Sequence, residues 1–196
     1  MKRSNKVMSI IGAGLVVLTI TILYEVNSKR TNSLSNSAAT HSPADVMFAQ
    51  NMIPHHSQAL EMAKLASTRA ENLRVKQLAL QIEAAQTPEI EKMTMWLKNW
   101  KEPLTVSENN MRSHSMSDNS SSGMMSKEDL MGLKSAMGAS FDKMFLTMMS
   151  IHHKSAIEMA KSELSSGQYG SAKELAQAII KGQSDELVLM EKLLGS

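Results

Sequence analysis

The sequence predicts an all-α fold, a four-helix bundle made of two repeated helical hairpins behind an N-terminal apolar helix. Three observations predict it. Apolar residues recur at the helical period over long stretches. Helix-start signals precede those stretches. Residues 45–97 align without a gap on residues 142–194, with 19 of 53 positions identical. One amphipathic hairpin cannot bury its own apolar face, but two can bury theirs against each other.

The elements follow in order. Lys2, Arg3 and Lys6 precede an apolar run ending at Tyr24, so residues 1–24 read as a signal peptide or a membrane anchor. Both readings export the rest of the chain. Residues 25–41, rich in Ser, Asn and Thr, form a flexible spacer. Ser42-Pro43-Ala44-Asp45 starts the first helix, with Ser as N-cap and an acid three residues on; it runs to about Arg69. The second helix starts near Asn72 and ends near Trp100, burying Val75, Leu78, Ile82, Ala85, Met93, Leu97 and Trp100. Residues 101–126 form a loop, marked by Pro103 and the run Ser120-Ser121-Ser122-Gly123. Ser126 to Asp129 caps a third helix that bends at Gly138 and ends near Ser165. After a turn at Gly167–Gly170, Ser171-Ala172-Lys173-Glu174 caps the fourth, which ends near Leu194. Residues 42–196 thus form one domain.

Composition removes several function classes. The net charge of +2 comes without a basic stripe interleaved with aromatics, so nucleic acid is not a partner. The absence of cysteine rules out disulfides and thiolate metal sites. The chain lacks Glu-x-x-His, His-Glu-x-x-His, Gly-x-Ser-x-Gly and a phosphate loop, so di-iron, hydrolase and nucleotide chemistry have no residues to use. The expectation is a protein that is not an enzyme.

What remains is metal chemistry. The two repeats carry His55-His56 and His152-His153, flanked by Met52 and by Met148-Met149. Imidazole and thioether are both metal ligands, and thioether selects soft ions such as Cu(I). Met144, Met148 and His152 form one helical row, and Met149 with His153 the next. Adjacent histidines diverge by about 100° on a helix, so only one of each pair faces the interior squarely. Glu89 with Met93, and Glu186 with Met190, fall on the apolar stripes of the second helix of each hairpin, each preceded by a Gln at 86 or 183. A carboxylate there needs a partner, and a His N–H would orient the imidazole for a metal. Met62 and Met159 extend the candidate ligand set, although core packing also accounts for them and for Met47, Met131 and Met137. In the loop, Met111, His114 and Met116, with Met124 and Met125, sit in a Ser/Asn context with no core to fill. Because a ligating imidazole must be deprotonated, copper affinity is expected to depend on pH between about 5 and 8.

The pattern Asp45, Phe48, Met52, His55, His56, Ala59, Met62, Ala63, followed by Gln86, Glu89, Ile90, Met93, Trp96, Leu97, resembles the domain of unknown function numbered 305. The second copy departs from it, with Leu187 for the Ile and Leu193 for the Trp. The resemblance implies a ferritin-like bundle. It also implies kinship with CopM-like exported proteins that bind copper and support copper tolerance. Three readings compete: a cell-envelope protein that sequesters or hands on Cu(I), a metal-dependent oxidase, and a structural or partner-binding bundle whose His–Glu pairs are internal hydrogen bonds. The expected partners are copper ions, and the membrane if the N-terminal segment is kept.

Overall fold

The computed structural model describes residues 40–105 and 123–195. The apolar N-terminal run, most of the spacer, and Met111, His114 and Met116 lie outside the described residues. Among the described residues there are five helices and no strand: α1 (Pro43–Arg69), α2 (Leu73–Trp100), α3 (Lys127–Ser135), α4 (Gly138–Ser166) and α5 (Gly170–Leu194). No helix among them is long and apolar enough to cross a membrane.

The caps explain where α1, α2 and α3 begin. Ser42 and Asp45 form a reciprocal capping box at α1, as do Ser126 and Asp129 at α3. Asn72 caps α2 by accepting from the Arg74 N–H.

Two expectations fail at the third and fourth helices. The third is broken rather than bent: α3 ends at Ser135, and α4 restarts after Met137 with Gly138 at φ +61°. Glycine tolerates that left-handed backbone. The break is gripped from the α1–α2 turn, where Arg69 donates to the Ala136 carbonyl and Glu71 accepts from the Ala139 N–H at 3.0 Å. The last helix begins at Gly170 with Tyr169 as N-cap, not at a Ser171 box. Its turn amides are satisfied from another helix: Gln168 and Tyr169 donate their N–H groups to Asp45, at 3.0 and 2.8 Å. The counterpart holds in the other hairpin, where Glu71 and Asn72 donate to Asp142, at 3.2 and 2.8 Å. Each repeat's first aspartate therefore ties down the other repeat's turn, which gives the sequence repeat a pseudo-twofold meaning in space.

Helices α1 and α2 form one hairpin and α4 and α5 the other; the hairpins meet chiefly through α1 against α4, and α2 touches α5 only lightly. The interior is divided in two. One apolar cluster gathers Met62, Leu78, Ile82, Phe141, Phe145, Met149 and Met190 under α3, whose Leu133 is fully buried. The other gathers Phe48, Met52, Met93, Trp96, Leu97 and Ile179. At the outer end of this second cluster, Trp100 stacks on His41 at 4.5 Å and meets Tyr169 edge-on, so the last spacer residue is packed. Ala85 is exposed, contrary to the periodicity, as are Met47 (46%), Met131 (59%) and Met137 (58%), which packing arguments had put in the core. The break at residues 136–137 and the shortness of α3 leave Met131 and Met137 outside the interior.

The described residues on either side of 106–122 are held on α1. The Gln50 side chain donates to the Pro103 carbonyl at 2.7 Å. The Gln58 amide donates to the Met125 carbonyl and accepts from its N–H, at 2.9 and 2.7 Å. Met125 packs against the first apolar cluster, so this methionine does have a core to fill, contrary to expectation.

Candidate metal centre

A polar belt separates the two apolar clusters. It crosses all four long helices at matched heights, with His55 and His56 on α1, Gln86 and Glu89 on α2, His152 and His153 on α4, and Gln183 and Glu186 on α5. On α1 and α2 it lies between Met52 and Ala59 and between Ile82 and Met93; on α4 and α5 it lies between Met149 and Ala156 and between Ile179 and Met190. All four histidines are buried.

The divergence of adjacent histidines is resolved in one consistent way. His56 turns to the partner helix within its hairpin, placing Nε2 2.7 Å from Glu89 Oε2, and His153 does the same with Glu186 at 2.6 Å. A neutral imidazole that donates from Nε2 to its glutamate keeps the lone pair on Nδ1. That Nδ1 is buried without a partner in both residues. His55 and His152 turn the other way and meet across the pseudo-twofold axis, their ring centroids 3.6 Å apart. Neither ring nitrogen of either residue has a hydrogen-bond partner. Gln86 and the Gln183 carbonyl oxygen are likewise unpartnered.

Electrostatics follow from this geometry. Burial, then the neighbouring His56 and His153 imidazoles, pushes the His55 imidazole down to about 3. Burial, then the other three histidines, pushes His152 still lower. Both rings are therefore neutral well into acid. At these two residues burial opposes the charged form, so their ionisation lies below the range of about pH 5 to 8 expected for an ordinary imidazole.

The predicted ligands divide into groups. Met52 and Met93 bracket the belt from one cluster, and Met149 and Met190 from the other; all four are fully buried. Met62 is sealed in the first cluster, with Met148 buried and Met144 partly buried beside it. Met159 is partly buried at the edge of the second. Glu89 and Glu186 stand at the rim, their side chains 18% exposed and engaged with the histidines. Met124 and Met125 lie at the end of the loop, away from the belt in sequence and held near Gln58. Gln86 and Gln183 were not among the candidate ligands, although their identity in both repeats was a usable signal.

The residues present fit a soft ion better than a hard one. Among the described residues, no three His, Asp or Glu side chains converge on a point where they could hold a metal ion. The available donors are neutral imidazole nitrogens with unused lone pairs, bracketed by thioethers. That donor set matches the soft preferences of Cu(I). Bare buried nitrogens are otherwise unfavourable, at about 1–3 kcal/mol each.

A second unusual group lies on α4. Glu163 is buried beside Asp45, and its carboxyl is pushed up to about 8, first by burial and then by the Asp45 carboxyl. Burial alone would raise Asp45. Hydrogen bonds from Ser42, the Tyr169 N–H and the Glu163 carboxyl outweigh it and hold Asp45 down at about 2. The repeat gave no sign of this pair, because Ala66 stands at the position corresponding to Glu163.

Comparison with known proteins gives a consistent picture. The model of the family described as "Domain of unknown function (DUF305)" matches residues 45–194. The crystal structure of a candidate secreted DUF305 protein from Streptomyces coelicolor is similar, with TM-score 0.71 and 30% identity over 78% of this chain and 92% of that one. CopM in its Cu(I)-bound form is similar with TM-score 0.61 and 29% identity, over 76% and 94% of the two chains. CopM in its Cu(II)-bound form gives TM-score 0.65 and 30% identity over 77% and 95%. No functionally curated protein sequence matches.

Proposed function

The chain belongs to the DUF305 family, and from that premise we propose that it is an exported copper-binding protein that sequesters or hands on Cu(I) and so supports copper tolerance. One observation carries the proposal: His55 and His152 meet in the buried belt with all their ring nitrogens unpartnered, beside the bare Nδ1 atoms of His56 and His153. The copper-bound forms of CopM support the choice of metal.

In this reading copper is cargo. The four imidazoles supply lone pairs, and the thioethers of Met52, Met93, Met149 and Met190 supply soft donors on both sides of the belt. Glu89 and Glu186 orient His56 and His153 and keep their Nδ1 atoms unprotonated. Met111, His114 and Met116 add soft donors in the loop segment. The role in this reading is binding rather than catalysis, since the belt supplies donor atoms and lies between two packed apolar clusters. Export is supported by the basic, then apolar, N-terminus and by the secreted description of the Streptomyces relative.

The test is an anaerobic Cu(I) titration of the full chain against a chromophoric chelator, with oxygen uptake followed after loading. Wild type should compete for Cu(I), His55→Leu/His152→Leu should bind less Cu(I) and more weakly, and no oxygen uptake should follow loading. Unchanged Cu(I) affinity in the double variant would make the belt a structural feature. Sustained oxygen uptake would make the protein an oxidase.

A further inference from the structure

The pseudo-twofold symmetry fails at one pair of grooves between α1 and α4. In the first, Met62, Met144 and Phe145 lie beneath α3, with Leu133 buried among them and Gly132 pressed so close that a Cβ there would stand 3.3 Å from the Met144 methyl. The corresponding residues of the second groove are Met159, Met47 and Phe48, identical in type by the 97-residue offset. No helix covers them among the described residues. They line an open cavity of about 210 Å³, together with Asn51, Ser162 and Glu163.

The residues that differ show what kind of occupant the open groove suits. Where the covered groove has Phe141, Met148, Leu65 and Ala66, the open one has Ala44, Asn51, Ser162 and Glu163. Apolar bulk has been exchanged for an amide, a hydroxyl and a carboxyl, which disfavours an apolar helix as the missing cover. Both thioethers are kept. Met47 is nearly half exposed, so its thioether is open to an ion from solvent. Asn51 lies one turn from Met47 on α1, and Ser162 and Glu163 one turn from Met159 on α4, so the oxygen groups and the sulfurs share one opening. Neither Glu163 oxygen accepts a hydrogen bond.

We propose that the Met47–Met159 groove is a second, solvent-facing site for a soft monovalent cation, Cu(I) or Ag(I), held by the two thioethers with the Asn51 amide oxygen. It rests on the copper-binding reading but is separate from the imidazole belt, which begins about 10 Å away along the helices at 1.5 Å per residue. The soft class follows from the donors: two neutral sulfurs favour a d¹⁰ monovalent ion over Mg²⁺ or Ca²⁺.

The experiment uses the full chain, labelled with ¹³C at the methionine methyl groups and titrated with Ag⁺ as a redox-inert probe. The Met47 and Met159 methyl signals should move together as Ag⁺ is added. They should move equally in His55→Leu/His152→Leu, which lacks the two histidines that meet at the centre of the belt. The near-isosteric Met47→Leu/Met159→Leu chain should bind one Ag⁺ fewer, while Met95→Leu/Met131→Leu, which alters exposed methionines elsewhere, should bind as wild type does. If Ag⁺ binds but the Met47 and Met159 signals stay still, or only one moves, the groove is not a paired site and the belt reading survives. If wild type binds no Ag⁺ at all, both readings fall.

Discussion

The rings of His55 and His152 lie 3.6 Å apart across the pseudo-twofold axis, tilted by 35°, and no nitrogen of either is hydrogen-bonded. Two neutral imidazoles pressed together in this way lose their hydration and gain no polar partner. Replacing both by leucine should therefore leave metal-free stability unchanged or raise it by about 1–2 kcal/mol, since unsatisfied polar groups give way to apolar ones. His56→Leu should do the opposite and cost about 1.5–3 kcal/mol, because it strips Glu89 of a charge-assisted hydrogen bond. Urea denaturation of the metal-free chains measures both. A loss on replacing the His55–His152 pair as large as that from His56→Leu would show that the central rings have partners in solution.

Acid should unfold the metal-free protein partly through these rings. The His55 pKa lies at about 3 in the fold, below its ordinary 6.5. The unfolded chain therefore binds a proton that the folded one refuses, and stability present above about pH 6.5 is lost as pH falls toward 3. His152, shifted in the same direction, adds to the loss. His55→Leu/His152→Leu should flatten this part of the stability curve. An acid limb as steep as that of wild type would place the cause in the carboxylates instead.

Glu163 sets the opposite slope. Its folded pKa is raised from 4.5 to about 8, so the folded state keeps a proton that the unfolded chain releases. That contribution is complete below about pH 4.5 and declines as pH rises toward 8. Glu163→Gln keeps the shape and a hydrogen-bond donor for Asp45 but cannot ionise. Its stability relative to wild type should rise across that window, as read by melting temperature against pH. A constant difference from pH 4.5 to 8.5 would mean that Glu163 is ionised throughout.

The two interhelical aspartates should differ in weight. Asp45 is buried and serves both its own capping box and the Gln168–Tyr169 turn. Asp142 holds the Glu71–Asn72 turn from a more exposed position. Asp45→Ala should cost about 2–4 kcal/mol and Asp142→Ala about 1 kcal/mol. Equal losses would show that the pseudo-symmetric roles are also equal in energy.

The two long hairpins, the repeat and the belt's histidines and glutamates were legible in the chain of residues, because these rest on local signals. Helical periodicity, the Ser42–Asp45 and Ser126–Asp129 caps and the 97-residue offset need no tertiary information. The sequence also brought out the His–Glu pairing, since Glu89 and Glu186 on apolar stripes required partners and one His of each pair had to diverge. Tertiary structure alone decided the rest. The third helix broke at Gly138 because Arg69 and Glu71 grip the break from another turn, and the last helix started at Gly170 because its amides were satisfied by Asp45, 124 residues from Tyr169. The meeting of His55 with His152, and with it their neutrality in acid, depends on how two hairpins are brought together and on a burial that no helical period encodes. The open groove at Met47 and Met159 likewise arose from the placement of α3 over only one of two matching faces. Among the described residues, the one short helix between the repeats lies over a single face.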